Sequence, residues 1–236
     1  MAEHVFIVGG TSGIGLAVAA RLIRLGYAVT IAGRDPAKLE AARRSLGDVG
    51  AVVMDGADPA AVKAGFAAAG SIDHCVLAFG SGKGAGPLGA VEIESVRRGF
   101  EEKTLPHIAC AKAALPQLRK DGSLTFISAV SAYAALPGTA GLAAANAAIA
   151  ALVPVLAAEL RPLRVNGVAP GVVDTPWWDF LPADQRKAVF ADYAAKTPVG
   201  RNGKPEDVAD AVAFLIGNGF VNGETLVCDG GIRWAA

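Results

Sequence analysis

The chain has 236 residues, and its 22 Lys and Arg balance 22 Asp and Glu, so the formal net charge is zero. This balance leaves no basic excess to neutralise phosphates and argues against a nucleic-acid-binding surface. Hydrophobic residues make up 53% of the chain and charged residues 19%, which excludes a disordered chain. At this length we expect a single domain over residues 1–236 with a sizeable core.

The most apolar stretch spans residues 141–158 and is interrupted by Asn146 and Pro154. A membrane span needs about 20 predominantly apolar residues, so a buried or subunit-interface helix is expected here instead. The N-terminal residues resemble no signal peptide. Cys75, Cys110 and Cys228 show neither a disulfide pattern nor metal-ligand spacing. These features predict a cytoplasmic protein with no membrane contact and no metal site.

Short β-rich runs alternate with helix-length segments along the chain. Strands are predicted at residues 4–8, 28–32, 51–54, 72–79, 123–128, 164–168 and 225–228. Helices are predicted at residues 14–25, 36–46, 60–68, 93–119, 140–160 and 205–216. Several strands are nearly continuous apolar runs, typical of parallel strands covered on both faces. The alternation predicts an α/β fold, a doubly wound parallel sheet with helices on both faces.

A glycine-rich turn follows the first predicted strand and precedes the first predicted helix. Its spacing is G-x-x-x-G-x-G over residues 9–15. Glycines permit a tight turn and let the backbone approach a pyrophosphate, and a helix N-terminus offers free N–H groups to phosphates. In this strand–turn–helix context the pattern predicts a dinucleotide site rather than a merely structural turn. The binding residues expected here are Gly9, Thr11, Ser12, Gly13, Ile14 and Gly15.

The second predicted strand ends at Gly33 and Arg34. A carboxylate at this strand tip would bind the ribose 2′-hydroxyl of NAD and repel a 2′-phosphate. Gly33 leaves space and Arg34 supplies a cation, which predicts NADP(H) in preference to NAD(H). The alternative is an exposed arginine in a β–α turn. Asp55, after the third strand, is expected to accept a hydrogen bond from the adenine amine, and otherwise serves as a turn residue.

These residues resemble the motifs of the short-chain dehydrogenase/reductase family, over nearly the whole chain. The turn resembles the family's T-G-x-x-x-G-I-G, with Val8 in place of Thr. Residues 201–208 and 223–231 resemble the opening of its last long helix and its final strand. The resemblance implies a Rossmann-type domain with about seven parallel strands, commonly a homotetramer. It also implies cofactor contacts from Pro170, Gly171, Val173 and Thr175.

The chain departs from the Asn-Ser-Tyr-Lys set that the family uses for catalysis. Counted from the flanking motifs, the four positions hold Lys103, Ala129, Leu142 and Asn146. No Tyr-x-x-x-Lys pair exists in any register, because the residues four after Tyr27, Tyr133 and Tyr193 are Ile31, Pro137 and Thr197.

Lys103 stands where the family has Asn, and Asn146 where it has Lys. These positions lie near each other in the family, so the exchange can return an ammonium group to the pocket. A partly desolvated lysine can act as a proton donor. The hypothesis is that Lys103 supplies the charge or proton, with Ser128, Ser131 or Tyr133 as hydroxyl partners. The alternative is that Lys103 faces solvent on its helix.

Two further segments are candidates for substrate contact. Residues 172–201 carry Trp177 and Trp178 in an insertion expected to cover the site, which favours an aromatic or apolar small-molecule substrate. Lys83, in the glycine-rich loop at residues 81–87, is expected to reach an anionic group unless that loop is simply a mobile surface loop. His4, His74 and His107 are expected to be structural.

The sequence therefore predicts an NADP(H)-dependent oxidoreductase with an atypical active site. Its Ala-rich helix and C-terminal Trp234 are expected at interfaces of a homo-oligomer, a dimer or tetramer. Two other functions stay open: a catalytically silent nucleotide-binding protein, acting as a sensor or hetero-oligomer partner, and a non-redox enzyme such as an isomerase or dehydratase on the same scaffold.

Overall fold

Parallel pairing joins seven strands into one sheet in the order β3-β2-β1-β4-β5-β6-β7. The computed structural model describes residues 2–235. The strands are β1 (His4–Val8), β2 (Ala28–Gly33), β3 (Gly50–Val53), β4 (Ile72–Leu77), β5 (Leu118–Ile127), β6 (Arg164–Pro170) and β7 (Thr225–Cys228). This arrangement confirms the predicted doubly wound α/β fold. The strand order reverses between β1 and β4, the kind of point where such sheets bind ligands.

Helices connect the strands and cover both faces of the sheet. They are α1 (Gly13–Arg24), α2 (Pro36–Leu46), α3 (Pro59–Ala69), α4 (Ile93–Gly99), α5 (Leu105–Ala114), α6 (Ala140–Glu159), α7 (Ala183–Lys196) and α8 (Pro205–Gly217). The starts of α2 and α3 are encoded locally. Asp35 and Asp58 cap them by accepting backbone N–H bonds, and each is followed by a proline at the first helical position.

Two apolar clusters occupy the two faces of the sheet. Alternate β1 residues point to opposite sides, so Phe6 belongs to one cluster and Ile7 to the other. The Phe6 cluster contains side chains from α3, α5 and α6, and the Ile7 cluster contains side chains from α1, α2 and α8. Burial on both faces accounts for the near-continuous apolar runs in the strands.

The helix predicted at residues 93–119 is wrong in two places. It ends at Ala114, and Leu118 already belongs to β5. It is also interrupted by a π-helical segment, Phe100–Thr104, in which the Leu105 N–H donates to the Phe100 carbonyl five residues back. Pro106 provides the physical reason: it has no N–H to donate, and its ring crowds the carbonyl of the preceding turn. Such bulges are frequent at functional sites.

Helix α6 runs without interruption through Pro154. By length and composition alone, it is the one helix among residues 2–235 that is apolar enough to cross a membrane. In the structure, Ile149 and Val153 lie fully inside the Phe6 cluster. The helix therefore contributes to the domain core, as expected for a buried helix.

The insertion at residues 172–201 contains more regular structure than the sequence predicted. It forms a 3₁₀ turn at Pro176–Trp178 and then α7. Arg186 on α7 ties the two together, because its guanidinium lies 2.6 Å from both the Asp174 and Asp179 carboxylates. It also donates to the Thr175 carbonyl. These bonds hold the insertion against the segment that follows β6, at the carboxyl ends of the strands.

Docking of α6 on the sheet is testable with matched valine truncations. Val153 is 1% exposed, whereas Val53 on the outermost strand β3 is 57% exposed. Val153→Ala is expected to lower the free energy of unfolding by about 1–3 kcal/mol through lost burial and an unfilled cavity. Val53→Ala should change it by less than about 0.5 kcal/mol. Urea denaturation measures both, and equal losses would contradict the packing described.

Candidate functional site

A cleft of about 610 Å³ opens at the carboxyl ends of the strands, across the point where the strand order reverses. Loops after β1, β2, β3, β4, β5 and β6 all contribute to it. The predicted cofactor residues that line it are Gly9, Thr11, Ser12, Gly13, Ile14, Arg34, Asp55, Pro170, Gly171, Val173 and Thr175. Segments far apart in sequence therefore meet in one cavity of a size typical of ligand sites.

Gly15 is the one predicted cofactor residue that does not line the cleft, and its role is packing. A Cβ atom at Gly15 would collide with the Gly9 carbonyl oxygen. Gly9 itself has φ +84° and lies against the Ala78 carbonyl after β4, where a Cβ would be 2.8 Å away. These close approaches bring the start of α1 down onto the strand ends. The turn is therefore shaped as dinucleotide-binding turns require.

The N-terminus of α1 is electrostatically free for an anion. Its first turn contains no acidic residue, and the Ser12 side chain does not cap the helix. The backbone N–H groups there carry a partial positive charge that a phosphate can satisfy. The donor set and the close-packed glycines fit the pyrophosphate of a nicotinamide dinucleotide.

The end of β2 is cationic as well. Arg34 and Lys38 both line the cleft. The Oδ1 atom of the neighbouring Asp35 accepts hydrogen bonds from the Ala37 and Lys38 N–H groups at 2.9 and 3.2 Å, which caps α2, and Asp35 does not line the cleft. The sequence analysis did not predict that Lys38 lines the cleft. Its position in the first turn of α2, directly after the end of β2, was the available signal.

Lys103 lies inside the cleft rather than on the outer surface of its helix. Its side chain is 7% exposed, although the adjacent Glu101 and Glu102 are exposed. Its ammonium donates to the Asn146 Oδ1 at 2.6 Å and to the Ser128 carbonyl at 3.2 Å. The alternative of a solvent-facing lysine is therefore wrong. The π-helical segment places Lys103 opposite α6, where the resemblance had located its partner.

Both the oxygen and the nitrogen of the Asn146 side-chain amide make hydrogen bonds. Its Nδ2 donates to the Ser131 hydroxyl at 3.1 Å and to the Leu142 carbonyl at 2.9 Å, while its Oδ1 accepts from Lys103. Lys103, Asn146 and Ser131 thus form one buried polar chain along the cleft wall. The Ser128 hydroxyl instead donates to the Val168 carbonyl at 3.4 Å.

The other positions of the family's catalytic set also line the cleft, but with apolar side chains. Ala129 follows β5, and Leu142 lies one turn before Asn146 on α6. Within residues 2–235, the ion pairs of the structure include none to Lys103. Its charge is therefore held by neutral oxygens alone. Burial lowers the pKa of Lys103 to about 8.

Two candidate residues lie outside the cleft lining. Tyr133 is 43% exposed, and Lys83 is exposed on the loop after β4. Tyr193 on α7 lines the cleft instead and was missed by the sequence analysis. It belongs to the insertion, for which no helix was predicted, so nothing in the pattern indicated which side of the segment faces the cavity.

The two tryptophans line the cleft within a cluster of aromatic rings. Trp177 and Trp178 meet edge to face with centroids 4.8 Å apart, and Phe180, Phe190 and Tyr193 surround Trp178. The Trp178 indole N–H donates to the Val173 carbonyl at 3.1 Å. Trp177 also reaches across to Gly82, where a Cβ would lie 3.3 Å from the indole ring. The insertion thus forms an aromatic wall of the cleft.

Comparisons with known proteins agree with this geometry. A family model described as Enoyl-(Acyl carrier protein) reductase matches residues 8–233. Cis-4-hydroxycyclohexanecarboxylate dehydrogenase of Sinomonas cyclohexanicum is 35% identical, over 98% of this chain and 96% of its own length. The chain belongs to the short-chain dehydrogenase/reductase family. It is an oxidoreductase of that family, with a fold and cleft that fit a nicotinamide cofactor.

Two solved structures of the short-chain dehydrogenase/reductase family are similar over nearly their full lengths. A small-chain dehydrogenase in complex with NADPH superposes with a TM-score of 0.87 at 31% identity, covering 99% of this chain and 100% of that one. The MalC reductase/Diels-Alderase of Malbranchea aurantiaca superposes with a TM-score of 0.89 at 28% identity, with coverages of 99% and 96%.

The buried ammonium has a measurable consequence for stability. Lys103 deprotonates near pH 8 in the folded protein and at its ordinary pKa of 10.5 when unfolded. Between these values the unfolded chain holds the Lys103 proton that the folded chain has released, so the contribution of Lys103 to stability rises with pH. Relative to Lys103→Met, the free energy of unfolding should rise by about 3 kcal/mol across that interval. Denaturation titrations at pH 7 to 10.5 measure it; a constant difference would contradict the burial.

Proposed function

We propose that the chain is an NADP(H)-dependent oxidoreductase in which Lys103 takes the proton-transfer role of the family's tyrosine. The observation that carries the proposal is the Lys103 ammonium, buried in the cleft and held by Asn146 and the Ser128 carbonyl. The substrate is a small molecule with a carbonyl group, or the corresponding alcohol in the reverse direction.

The cofactor is held by the first βα turn and by the loop after β6. The N–H groups at the start of α1 would bind the pyrophosphate. The Asp55 carboxylate, whose Oδ1 already accepts from the Ala57 N–H, would also accept from the adenine amine. Pro170, Gly171, Val173 and Thr175 form the opposite wall. When bound, the nicotinamide supplies or accepts the hydride. The chain's own residues position the reactants and handle the proton.

The preference for NADP(H) rests on the charge at the tip of β2. Arg34 and Lys38 are two cations that line the cleft, whereas Asp35 does not line it and caps α2 through Oδ1. A 2′-phosphate binds such a pair through charge-assisted hydrogen bonds. The NADPH complex of the related small-chain dehydrogenase supports the same choice.

Lys103 is suited to donate a proton from its Nζ. An ammonium has three N–H donors, of which Asn146 and Ser128 take two, so one remains for a substrate oxygen. A pKa near 8 keeps the group charged at neutral pH while bringing its acidity close to the working range of a general acid. Asn146 fixes the ammonium in place, and Ser131 fixes Asn146.

The same charge discriminates between substrate classes. A cation at 4 Å from the ammonium would be repelled by about 4 kcal/mol at an effective dielectric constant of 20. A preformed iminium is therefore a poor substrate for this site, whereas a carbonyl oxygen that gains negative charge is stabilised. Trp177, Trp178 and Leu142 supply apolar walls, which favours a cyclic or aromatic body on the substrate.

The relatives give a starting set of substrates for testing. Cyclic hydroxy acids and their ketones come first, following the activity named for the Sinomonas cyclohexanicum dehydrogenase. A non-redox activity is a second candidate, since the related MalC is described as both a reductase and a Diels-Alderase. A cytoplasmic homo-oligomer, with the 79%-exposed Trp234 at an interface, remains part of the proposal.

Cofactor choice is testable by ligand titration of single variants. Arg34→Ala and Lys38→Ala should each weaken NADPH binding about 10- to 100-fold, the loss expected for one charge-assisted hydrogen bond. NADH binding should change little. Nicotinamide fluorescence measures both affinities, with Arg44→Ala on the outer face of α2 as the control. An equal loss for the two cofactors would contradict a 2′-phosphate site.

The role of Lys103 is testable once a substrate in the panel turns over. Lys103→Met should lower kcat/KM by about 100- to 10,000-fold, the typical loss on removing an acid–base group. NADPH affinity should be retained. Lys112→Met, an exposed lysine on neighbouring α5, is the matched control. Unchanged turnover in Lys103→Met would refute the role, and binding of cofactor without turnover on carbonyls, alcohols and imines would favour the silent alternative.

A further inference from the structure

His107 is buried directly beneath Lys103 and contacts it through the backbone. It lies on the first turn of α5, with no exposed surface, and its Nδ1 is 2.8 Å from the Lys103 carbonyl oxygen. A carbonyl oxygen only accepts, so Nδ1 carries the proton and donates. The bond spans the junction between the π-helical segment and α5, where Pro106 offers no N–H.

Aromatic packing fixes the direction of this bond. The imidazole packs against Phe79 in a tilted arrangement with centroids 4.1 Å apart, and it lies nearly parallel to the Phe126 ring at 6.1 Å. Phe79 itself lines the cleft. Contacts with two aromatic side chains restrict the orientation of the His107 ring and so the direction of its bond to the Lys103 carbonyl.

The chemical state of the ring is fixed as well. Burial, with a further contribution from the charge of Lys103, lowers the pKa of His107 to about 3, so the imidazole is neutral at ordinary pH. Its Nε2 makes no hydrogen bond of good geometry within residues 2–235, although the Leu77 and Ile127 backbone carbonyls lie near the ring. Burying an unpaired nitrogen is unfavourable, and an apolar ring would fill the same space without that cost. The bond to Lys103 is what a histidine provides here and a phenylalanine would not.

We propose that His107 is a positioning residue for Lys103. By tying down the Lys103 carbonyl at the irregular turn, it fixes where the side chain leaves the backbone and keeps the ammonium in reach of Asn146. An effect of His107 on catalysis rests on the proposed function, in which Lys103 donates the proton. An effect of His107 on the position of Lys103 does not, because the protonation of Lys103 can be measured without any substrate.

The test is an NMR titration of the Lys103 side chain in the full-length protein. The lysine Cε and Nζ signals are followed with pH, and the Lys103 signal is assigned by its loss in Lys103→Met. His107→Phe keeps an aromatic ring at this position and removes the donor. We expect its Lys103 titration midpoint to move upward by about one pH unit or more, as the ammonium leaves Asn146 and regains water.

Two further variants separate positioning from general destabilisation. His107→Asn returns an amide donor near the Nδ1 position, and its Lys103 midpoint should return to within about half a unit of wild type. His74→Phe removes a different buried histidine, which bonds Ser123 and lies near the amino ends of the strands, and should leave the midpoint unchanged. A folded His107→Phe protein with the wild-type midpoint would overturn the proposal.

A measurement on the wild type covers the case in which His107→Phe does not fold. Long-range proton–nitrogen NMR distinguishes the two neutral tautomers, and the proposal requires the proton on Nδ1 of His107. A proton on Nε2 would overturn it. If the Lys103 midpoint shifts in His107→Phe while the pH profile of kcat/KM does not follow, the positioning role stands and the catalytic role of Lys103 fails.

Discussion

The hydrogen bond between the Lys103 ammonium and the Asn146 side chain is the constraint on which the site depends. A buried charge is tolerated only where polar atoms surround it, and here those atoms are neutral oxygens rather than a carboxylate. Asn146 must therefore present its oxygen to Lys103 and its nitrogen elsewhere. Ser131 and the Leu142 carbonyl accept from that nitrogen, which orients the amide in one way. The neighbouring groups on α6 and after β5 are arranged around this one charge.

The buried position of Lys103 follows from helical periodicity. Gly99, Lys103, His107, Cys110 and Ala114 are buried at spacings of three or four residues, so Lys103 lies on the inward face of its helix while Glu102 stays outside. Along this face the helix widens to five-residue spacing at Phe100–Thr104, just before Pro106, which has no N–H to donate.

Much of the fold was predictable because it rests on local signals. Apolar runs such as β1 and glycine spacing such as Gly9–Gly15 leave few alternatives, and the pairing of Lys103 with Asn146 followed from the family resemblance. The break at Phe100–Thr104 was not predicted, because the helix was drawn continuously over residues 93–119 although Pro106 in its interior indicates an interruption. Tyr193 was not predicted because α7 has no strongly apolar face: none of its residues is fully buried, so its sequence does not show which side meets the cleft.

Asp35 shows that a carboxylate near the end of β2 does not by itself indicate a ligand contact, because it can bind the backbone of the following helix. Its Oδ1 accepts from the first N–H groups of α2, and Asp35 is not among the residues that line the cleft, although it directly follows Arg34, which does. Reversing the proposed preference for NADP(H) by design would therefore require more than adding negative charge nearby. The new carboxylate would need to be at position 34, before the N-cap of α2, because a carboxylate at the N-cap binds the first N–H groups of the helix. The same β2–α2 turn therefore both starts the helix and contributes the charges that face the cofactor.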